Sequence, residues 1–413
     1  MTLDKLKKYE EIINEAHGVK YSALENSLLN YYETHFNLSG GVALAFFSLP
    51  SYKEDEYYNN NHRMGEYPKS FINSIIGFHH FFELHLKESL SEYSDLLSQA
   101  VKGANTPLKI LEKLDSGELT INQYKTVNFS FGLEILKQLK SNQKDSKAKY
   151  KLLKKHEFLV TEKSVNTLLK LHEYRNATLH RGNKILGYIP FDYFISQFVL
   201  PLVYEILKQS DYHLKAVNRK VACGVDILKT ILKIKFDEAN MDYIGDYDEE
   251  FSNKICHLAH LKELGRASFL RPVDLPLHIL KREYTTGSDE TDLILDGYNR
   301  VAHLGLKQYA IAEKLAVEES KNSRVNEILK CPCCGANTLL SYWEISVPVE
   351  GMPKAFKSVN EAGCGFCFYS ISRSMGDPFE FQLAKKPVFG TDSDEGWPFH
   401  SFKPSRKELD DYE

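Results

Sequence analysis

The chain has 413 residues, 43% of them hydrophobic, and a formal net charge of −4. Such a composition excludes wholesale disorder, and the length provides for two or three domains with buried cores. A protein that coats nucleic acid through a uniformly basic surface is excluded by the charge, although a local basic groove is not.

Met1-Thr2-Leu3-Asp4-Lys5 opens a charged amphipathic segment without the apolar core of a signal peptide. Residues 5 to 35 are expected to be helical, and Ser39-Gly40-Gly41 breaks the pattern. The apolar run Val42 to Leu49 fits strand or helix equally, and Tyr52 to Tyr67 is a polar loop. A long helix is predicted from Pro68 to Tyr93, its proline suited to the first turn. Another helix starts at Asn105-Thr106-Pro107 and ends by Gly117, and Ile121 to Leu139 is also expected to be helical. Ser141 to Lys149 is charged and polar, a loop.

From Thr161 to Leu171 the pattern is that of an amphipathic helix, with Val165, Leu168, Leu169 and His172 near one stripe. It runs on into Glu173-Tyr174-Arg175-Asn176-Ala177-Thr178-Leu179-His180-Arg181-Gly182, where the glycine suits the position just past a helix end. One helix end thus presents a cation, an amide and an imidazole. Asn176 and His180 share a face at i, i+4, while Arg175 and His180 lie about 140° apart. Basic residues in a last turn also complement the helix dipole, a plainer account of His180 and Arg181. A second arginine–histidine spacing, Arg271 to His278, is interrupted by Pro272 and Pro276 and is discounted.

The Arg175-Asn176-x3-His180 stretch resembles the motif of HEPN domains, an all-helical family. Glu83-Leu84-His85-Leu86-Lys87 resembles an early helix of the same domains. The resemblance covers roughly residues 67 to 210. It implies metal-independent RNA cleavage, in which the ribose 2′-hydroxyl attacks the adjacent phosphate to leave a 2′,3′-cyclic phosphate. His180 would move the proton, Arg175 would neutralise developing charge and Asn176 would orient the histidine or the phosphate through its amide. Glu83 would support the site by pairing with Arg175. The family pairs two motifs across one cleft, which implies a homodimer. Some members carry a tyrosine two residues after the histidine, a site of regulatory modification; this chain has Gly182 there. By analogy the activity would be that of a toxin-like or phage-defence effector, with an activator or inhibitor protein unknown. The alternative is a non-catalytic HEPN-like module that binds nucleic acid or protein.

Tyr188 to Leu207 is apolar, but Asp192, Gln197, Glu205, Pro190 and Pro201 fit a buried bundle helix, spanning Phe191 to Gln209, better than a membrane span. From 211 to 325 the chain is expected to stay helical with no assignable role. Val221 to Ile234 is regular and apolar there, and Asp292 to Ser323 is one long helix. His257 and His260 are taken as ordinary core or surface residues, and Cys223 and Cys256 as core.

Five of the seven cysteines follow residue 330. Cys331-Pro332-Cys333-Cys334-Gly335 and Cys364-Gly365-Phe366-Cys367 form two Cys-x-x-Cys pairs, and the β-patterned stretch Thr338 to Val349 lies between them. The spacing resembles a zinc ribbon. Cys331, Cys334, Cys364 and Cys367 are the expected ligands of one structural zinc ion, with Cys333 as the competitor of Cys334. Gly335 and Gly365 would supply positive φ in the turns. Clustered reduced cysteines point to a cytoplasmic protein.

The expected fold class is therefore mainly α, with a HEPN-like helical bundle, a further helical region and a small C-terminal β zinc ribbon. The expected boundaries are 1–66, 67–210, 211–325, 326–390 and a tail over 391–413. The expected partners are RNA and a second copy of the chain, with no membrane.

Overall fold

The structure is a computed structural model of the full chain. It describes residues 18–36, 66–93, 99–100, 125–126, 128–148, 150–181, 185–210, 213–214, 217–236, 249–271, 308–346 and 356–389. Val42 to Leu49, the helix expected from Asn105 and the tail over 391–413 lie outside these residues. The protein is mostly helical, with a small four-stranded antiparallel sheet near its C-terminus. Two compact units are present, residues 1–31 with 68–217, and residues 32–67 with 218–413.

The first unit is a helical bundle. Its described elements are α1 (Val19–Phe36, as far as Tyr31), α2 (Glu66–Ser91), α3 (Phe129–Ser141), α4 (Glu162–Arg181), α5 (Tyr188–Phe194) and α6 (Leu200–Leu207). A short antiparallel pair, β1 (Gln99–Ala100) and β2 (Lys125–Thr126), precedes α3. The expected start of α3 near Ile121 is thus too early. Asn128 takes the cap position instead, its Oδ1 accepting the Phe131 amide at 2.9 Å. Phe71, Ile75, Phe78, Phe82 and Leu86 of α2, Leu133 and Leu136 of α3, and Phe191, Ile195 and Val199 are buried in the core. α1 and α2 cross closely at Gly77, where a Cβ would lie 2.6 Å from that of Ser27, so only glycine fits.

The buried stripe of α4 centres on Leu168 and includes Val165 and Leu171. Leu169 lies one step of 100° further round and is exposed, contrary to the expected stripe. The apolar helix after α4 begins at Tyr188, earlier than expected, because Pro190 falls in a first turn whose amides need no partner. A π-helical turn, Ile195–Val199, separates α5 from α6. Pro201 has no amide to continue the regular ladder, and Leu200 donates to Ile195 instead. Among the described residues, no helix is long and apolar enough to cross a membrane.

The second unit contains α7 (Ile227–Lys233), α8 (Glu249–Leu270), a helix described over 308–319, and the sheet. Its strands are β3 (Val325–Lys330), β4 (Asn337–Ser346), β5 (Phe356–Cys364) and β6 (Ser370–Ser372), hydrogen-bonded in that order. Only the second half of the helix expected over Asp292 to Ser323 falls within the described residues. From Leu258 to Ser268 α8 is buried on every side, despite His260, Lys262, Glu263 and Arg266. The charges of Lys262, Glu263 and Arg266 persist there because each has a partner. Glu263 accepts two hydrogen bonds from Arg266, at 2.7 and 2.8 Å, and faces His35 at 3.2 Å. Lys262 donates to Thr34 at 2.6 Å.

Candidate functional site

A line of polar side chains joins α2 to α4 inside the first unit. Arg175 Nη1 donates to Asn176 Oδ1 at 2.9 Å, so the amide nitrogen of Asn176 is free to face the preceding turn. That nitrogen lies 3.0 Å from Nε2 of His172, four residues back on the same face. Nδ1 of His172 lies 2.9 Å from Nε2 of His79 on α2. Nδ1 of His79 faces Glu83 Oε2 at 3.9 Å, and Glu83 Oε1 accepts from Lys87 at 2.7 Å.

The direction of each hydrogen bond follows from the first. An amide nitrogen can only donate, so His172 Nε2 accepts. A neutral His172 then carries its proton on Nδ1 and donates to His79 Nε2. His79 in turn carries its proton on Nδ1, toward the carboxylate of Glu83. A single set of tautomers thus runs from the guanidinium to His79 with no clash of donors, and the Glu83 carboxylate lies beyond hydrogen-bond reach of that ring.

The surroundings keep both rings neutral. Phe129 lies with its ring 4.5 Å from that of His79 and stacks on His172 at 5.4 Å. Burial, reinforced by His172, pushes the pKa of His79 down to about 4. Burial and then the Arg175 charge lower that of His172. Burial alone would raise the Glu83 carboxyl, but the hydrogen bond and charge of Lys87, with the neighbouring histidines, together outweigh it and the pKa is lowered. Neutral imidazoles at neutral pH are what the tautomer argument requires.

Arg175 and Asn176 are therefore adjacent, half-buried and hydrogen-bonded on the last turns of α4. His180 lies in the final turn, and the helix ends at Arg181, directly before Gly182. The side chain of His180 and the conformation of Gly182 lie outside the described residues. Among the described residues Glu83 pairs with Lys87 and lies beside His79, and it does not make the direct ion pair with Arg175 that was expected. His79 and His172 were missed as members of this network. The signal was present in the i, i+4, i+8 series His172, Asn176, His180, whose members share one face. The second spacing match separates here, since Arg271 donates to the Lys220 carbonyl at 2.8 Å in the other unit and His278 is outside the described residues.

The second candidate site is the cysteine centre. Lys330 pairs with Asn337 and Gly363 with Ser370, so residues 331–336 and 364–369 are the loops of two hairpins. Leu339 pairs with Cys364, which brings both loops to one end of the sheet. The sulfurs of Cys331, Cys334, Cys364 and Cys367 all lie within 4.8 Å of one another, and all four residues are buried. Cys331 and Cys367 approach to 3.6 Å, and Cys334 and Cys364 to 3.8 Å. A tetrahedral ion with metal–sulfur bonds of about 2.3 Å requires sulfurs about 3.8 Å apart, so the four thiolates could hold one metal ion. Cys333 points away, its sulfur 4.0 Å from the Leu264 carbonyl.

The two loops share a hydrogen-bond pattern. Cys331 N donates to Ala336 O and Gly335 N to Cys331 O, at 2.8 and 2.9 Å. Cys364 N donates to Tyr369 O and Phe368 N to Cys364 O, at 2.8 and 3.0 Å. The fifth residue of each loop has positive φ, 81° at Gly335 and 60° at Phe368. Gly335 thus behaves as expected, but in the second loop the positive φ falls on Phe368 and not on Gly365. Thr338 Oγ1 lies 3.0 Å from Cys364 Sγ, where its hydroxyl can donate to a thiolate.

The rest of the unit holds the loops in place. Ala222 and Cys223 donate their amides to the carbonyls of Cys333 and Pro332. Tyr309 donates to the Cys334 carbonyl at 3.3 Å and stacks on Phe366. Arg266 binds the Phe368 carbonyl, and Glu263 accepts the Ser370 amide at 2.5 Å. His260 lies 3.0 Å from the Gly376 carbonyl, and His257 stacks on Phe381, which agrees with the ordinary roles expected for them.

The chain matches no protein-family model, no curated protein and no solved structure.

Proposed function

We propose that the helical unit is a HEPN-type endoribonuclease acting through Arg175, Asn176 and His180, and that the four cysteines bind a structural zinc ion. The observation that carries the nuclease reading is the hydrogen-bonded run from His79 through His172 and Asn176 to Arg175. It supports an arginine held in place through its Asn176 contact. Among the described residues, only Asn176 accepts a hydrogen bond from Arg175. The other guanidinium donors are left for phosphate oxygens, which a planar guanidinium suits.

In the proposed reaction the ribose 2′-oxygen attacks the adjacent phosphorus while His180 takes the hydroxyl proton. The bond to the 5′-oxygen breaks, and that oxygen takes a proton from a second imidazole. His180 of the partner subunit would supply it in a homodimer. Arg175 stabilises the negative charge gathered on the phosphorane-like transition state. The two neutral histidines, His172 and His79, hold Asn176 and move no proton in this scheme. Such an enzyme would act in the cytoplasm as a toxin-like or phage-defence effector.

Zinc is the ion best suited to four thiolates in a tetrahedral arrangement. Held by Cys331, Cys334, Cys364 and Cys367, it would have no open position for water, and its role would be to fold the sheet. The test of the nuclease reading is cleavage of RNA in EDTA, with 2′,3′-cyclic phosphate and 5′-hydroxyl ends and no cutting of DNA, which lacks the nucleophile. Arg175→Ala and His180→Ala should each lower the rate at least about a hundredfold. If both variants cut RNA like the wild type, the active site is elsewhere.

A further inference from the structure

The segment from Lys137 to Lys155 carries eight lysines and one acidic residue, Asp145, in a chain whose overall charge is −4. It lies in the helical unit between the end of α3 and the start of α4. Its backbone is tied down at several points. Leu152 donates to the Leu139 carbonyl at 3.1 Å, and Leu153 to the Tyr93 hydroxyl at 2.6 Å. The side chains of Asn142 and Gln143 bind the carbonyls of Tyr150 and Leu152, both at 3.2 Å.

Neighbouring acids neutralise only part of this charge. Lys155 pairs with Glu92 at 2.6 Å, and Lys137 lies 3.7 Å from Glu134. Asp145 is occupied by the backbone amide of Lys147, and Glu157 accepts from Gln143. Lys144, Lys147, Lys151 and Lys154 are all exposed and make no ion pair among the described residues. A solvated charge run has no need of a pinned backbone. A surface that receives a polyanion gains from one, because less freedom is lost on binding.

We propose that Lys144, Lys147, Lys151 and Lys154 form a phosphate-backbone contact surface for the RNA that the nuclease site cuts. The inference rests on the ribonuclease reading and adds the surface that captures the substrate. Lys154 begins the 3-10 turn Lys154–Val160, which leads into α4. From the start of α4 to Arg175 the helix rises about 20 Å, roughly six nucleotides of duplex. An RNA long enough to span that distance engages both places, whereas a dinucleotide reaches only the motif.

The test uses the full chain carrying His180→Ala, so that RNA stays intact. A fluorescein-labelled oligouridylate of about 20 nucleotides is titrated by anisotropy between about 50 and 200 mM salt. Replacing the four lysines by glutamine should flatten the plot of log affinity against log salt by about 3, at about 0.7 per lost contact. Four exposed lysines of the other unit, Lys314, Lys321, Lys330 and Lys385, replaced in the same way give the same change in net charge and should leave the slope unaltered. In the otherwise wild-type enzyme the patch substitutions should slow cleavage of the long RNA more than about tenfold and leave a dinucleotide unaffected. An unchanged slope, an equal effect of the control set, or no RNA binding at the lowest salt overturns the surface. Cleavage that persists with an unchanged slope overturns the surface and leaves the nuclease standing. A slope that falls as expected, with no cleavage by the wild type, supports the surface and overturns the nuclease.

Discussion

His172 is the residue on which the candidate site turns. Its two ring nitrogens face opposite ways, one toward Asn176 at 3.0 Å and the other toward His79 at 2.9 Å. A phenylalanine keeps the stack on Phe129 but satisfies neither neighbour, leaving Asn176 free to turn and release Arg175. His172→Phe is expected to lower RNA cleavage about tenfold, the worth of one hydrogen bond of about 1.4 kcal/mol. Under the proposed nuclease reading, a positioning role predicts that the loss falls on kcat, with the pH profile keeping its shape. A profile that loses one limb would instead make His172 a proton carrier. Phe368 is a second residue of note. It is a bulky side chain with φ of 60°, held there by the Arg266 contact to its carbonyl. Left-handed backbone disfavours such a residue, and its presence in place of glycine shows that the loop's hydrogen bonds set the conformation.

At the scale of elements, α2 and α4 are joined by the two histidines, and this makes their packing sensitive to acid. The folded pKa of His79 is depressed to about 4 and that of His172 is also lowered, chiefly by burial. The unfolded chain therefore binds protons first as pH falls, and stability rises with pH across that range. The contribution is complete above the ordinary histidine value of 6.5 and is lost as pH falls from there toward about 4. Thermal melts of the wild type should drop by several degrees more over that interval than those of His79→Gln, which cannot titrate. Equal drops would show that the acid response lies elsewhere.

For the whole molecule, both hairpin loops and their contacts to Ala222, Cys223 and Tyr309 converge on the cysteine centre, so loss of an ion held there is expected to unfold the sheet. Purified protein should contain one zinc ion per chain by elemental analysis. Less than about half an equivalent after metal-replete expression would count against the site, since structural zinc binds with about 10 kcal/mol or more. Cys331→Ser should lose the ion and unfold the sheet, while Cys333→Ser and Cys223→Ser should keep it. EDTA that leaves the zinc in place should also leave RNA cleavage intact.

The cysteine spacing was readable in the chain itself, because a turn of two intervening residues brings two sulfurs to one point whatever surrounds it. The apolar helices were readable in outline for a similar reason, since periodicity is local, but the cap at Asn128 and the π-helical turn before Pro201 were not read from it. What the sequence could not express was the meeting of His79 with His172, ninety-three positions apart. Nor could it show that Glu83 pairs with Lys87 and not with Arg175 among the described residues. It also could not tell that the positive φ of the second cysteine loop falls on Phe368. Those outcomes depend on which helix faces pack together and which backbone groups they hold, and only the tertiary structure decides that.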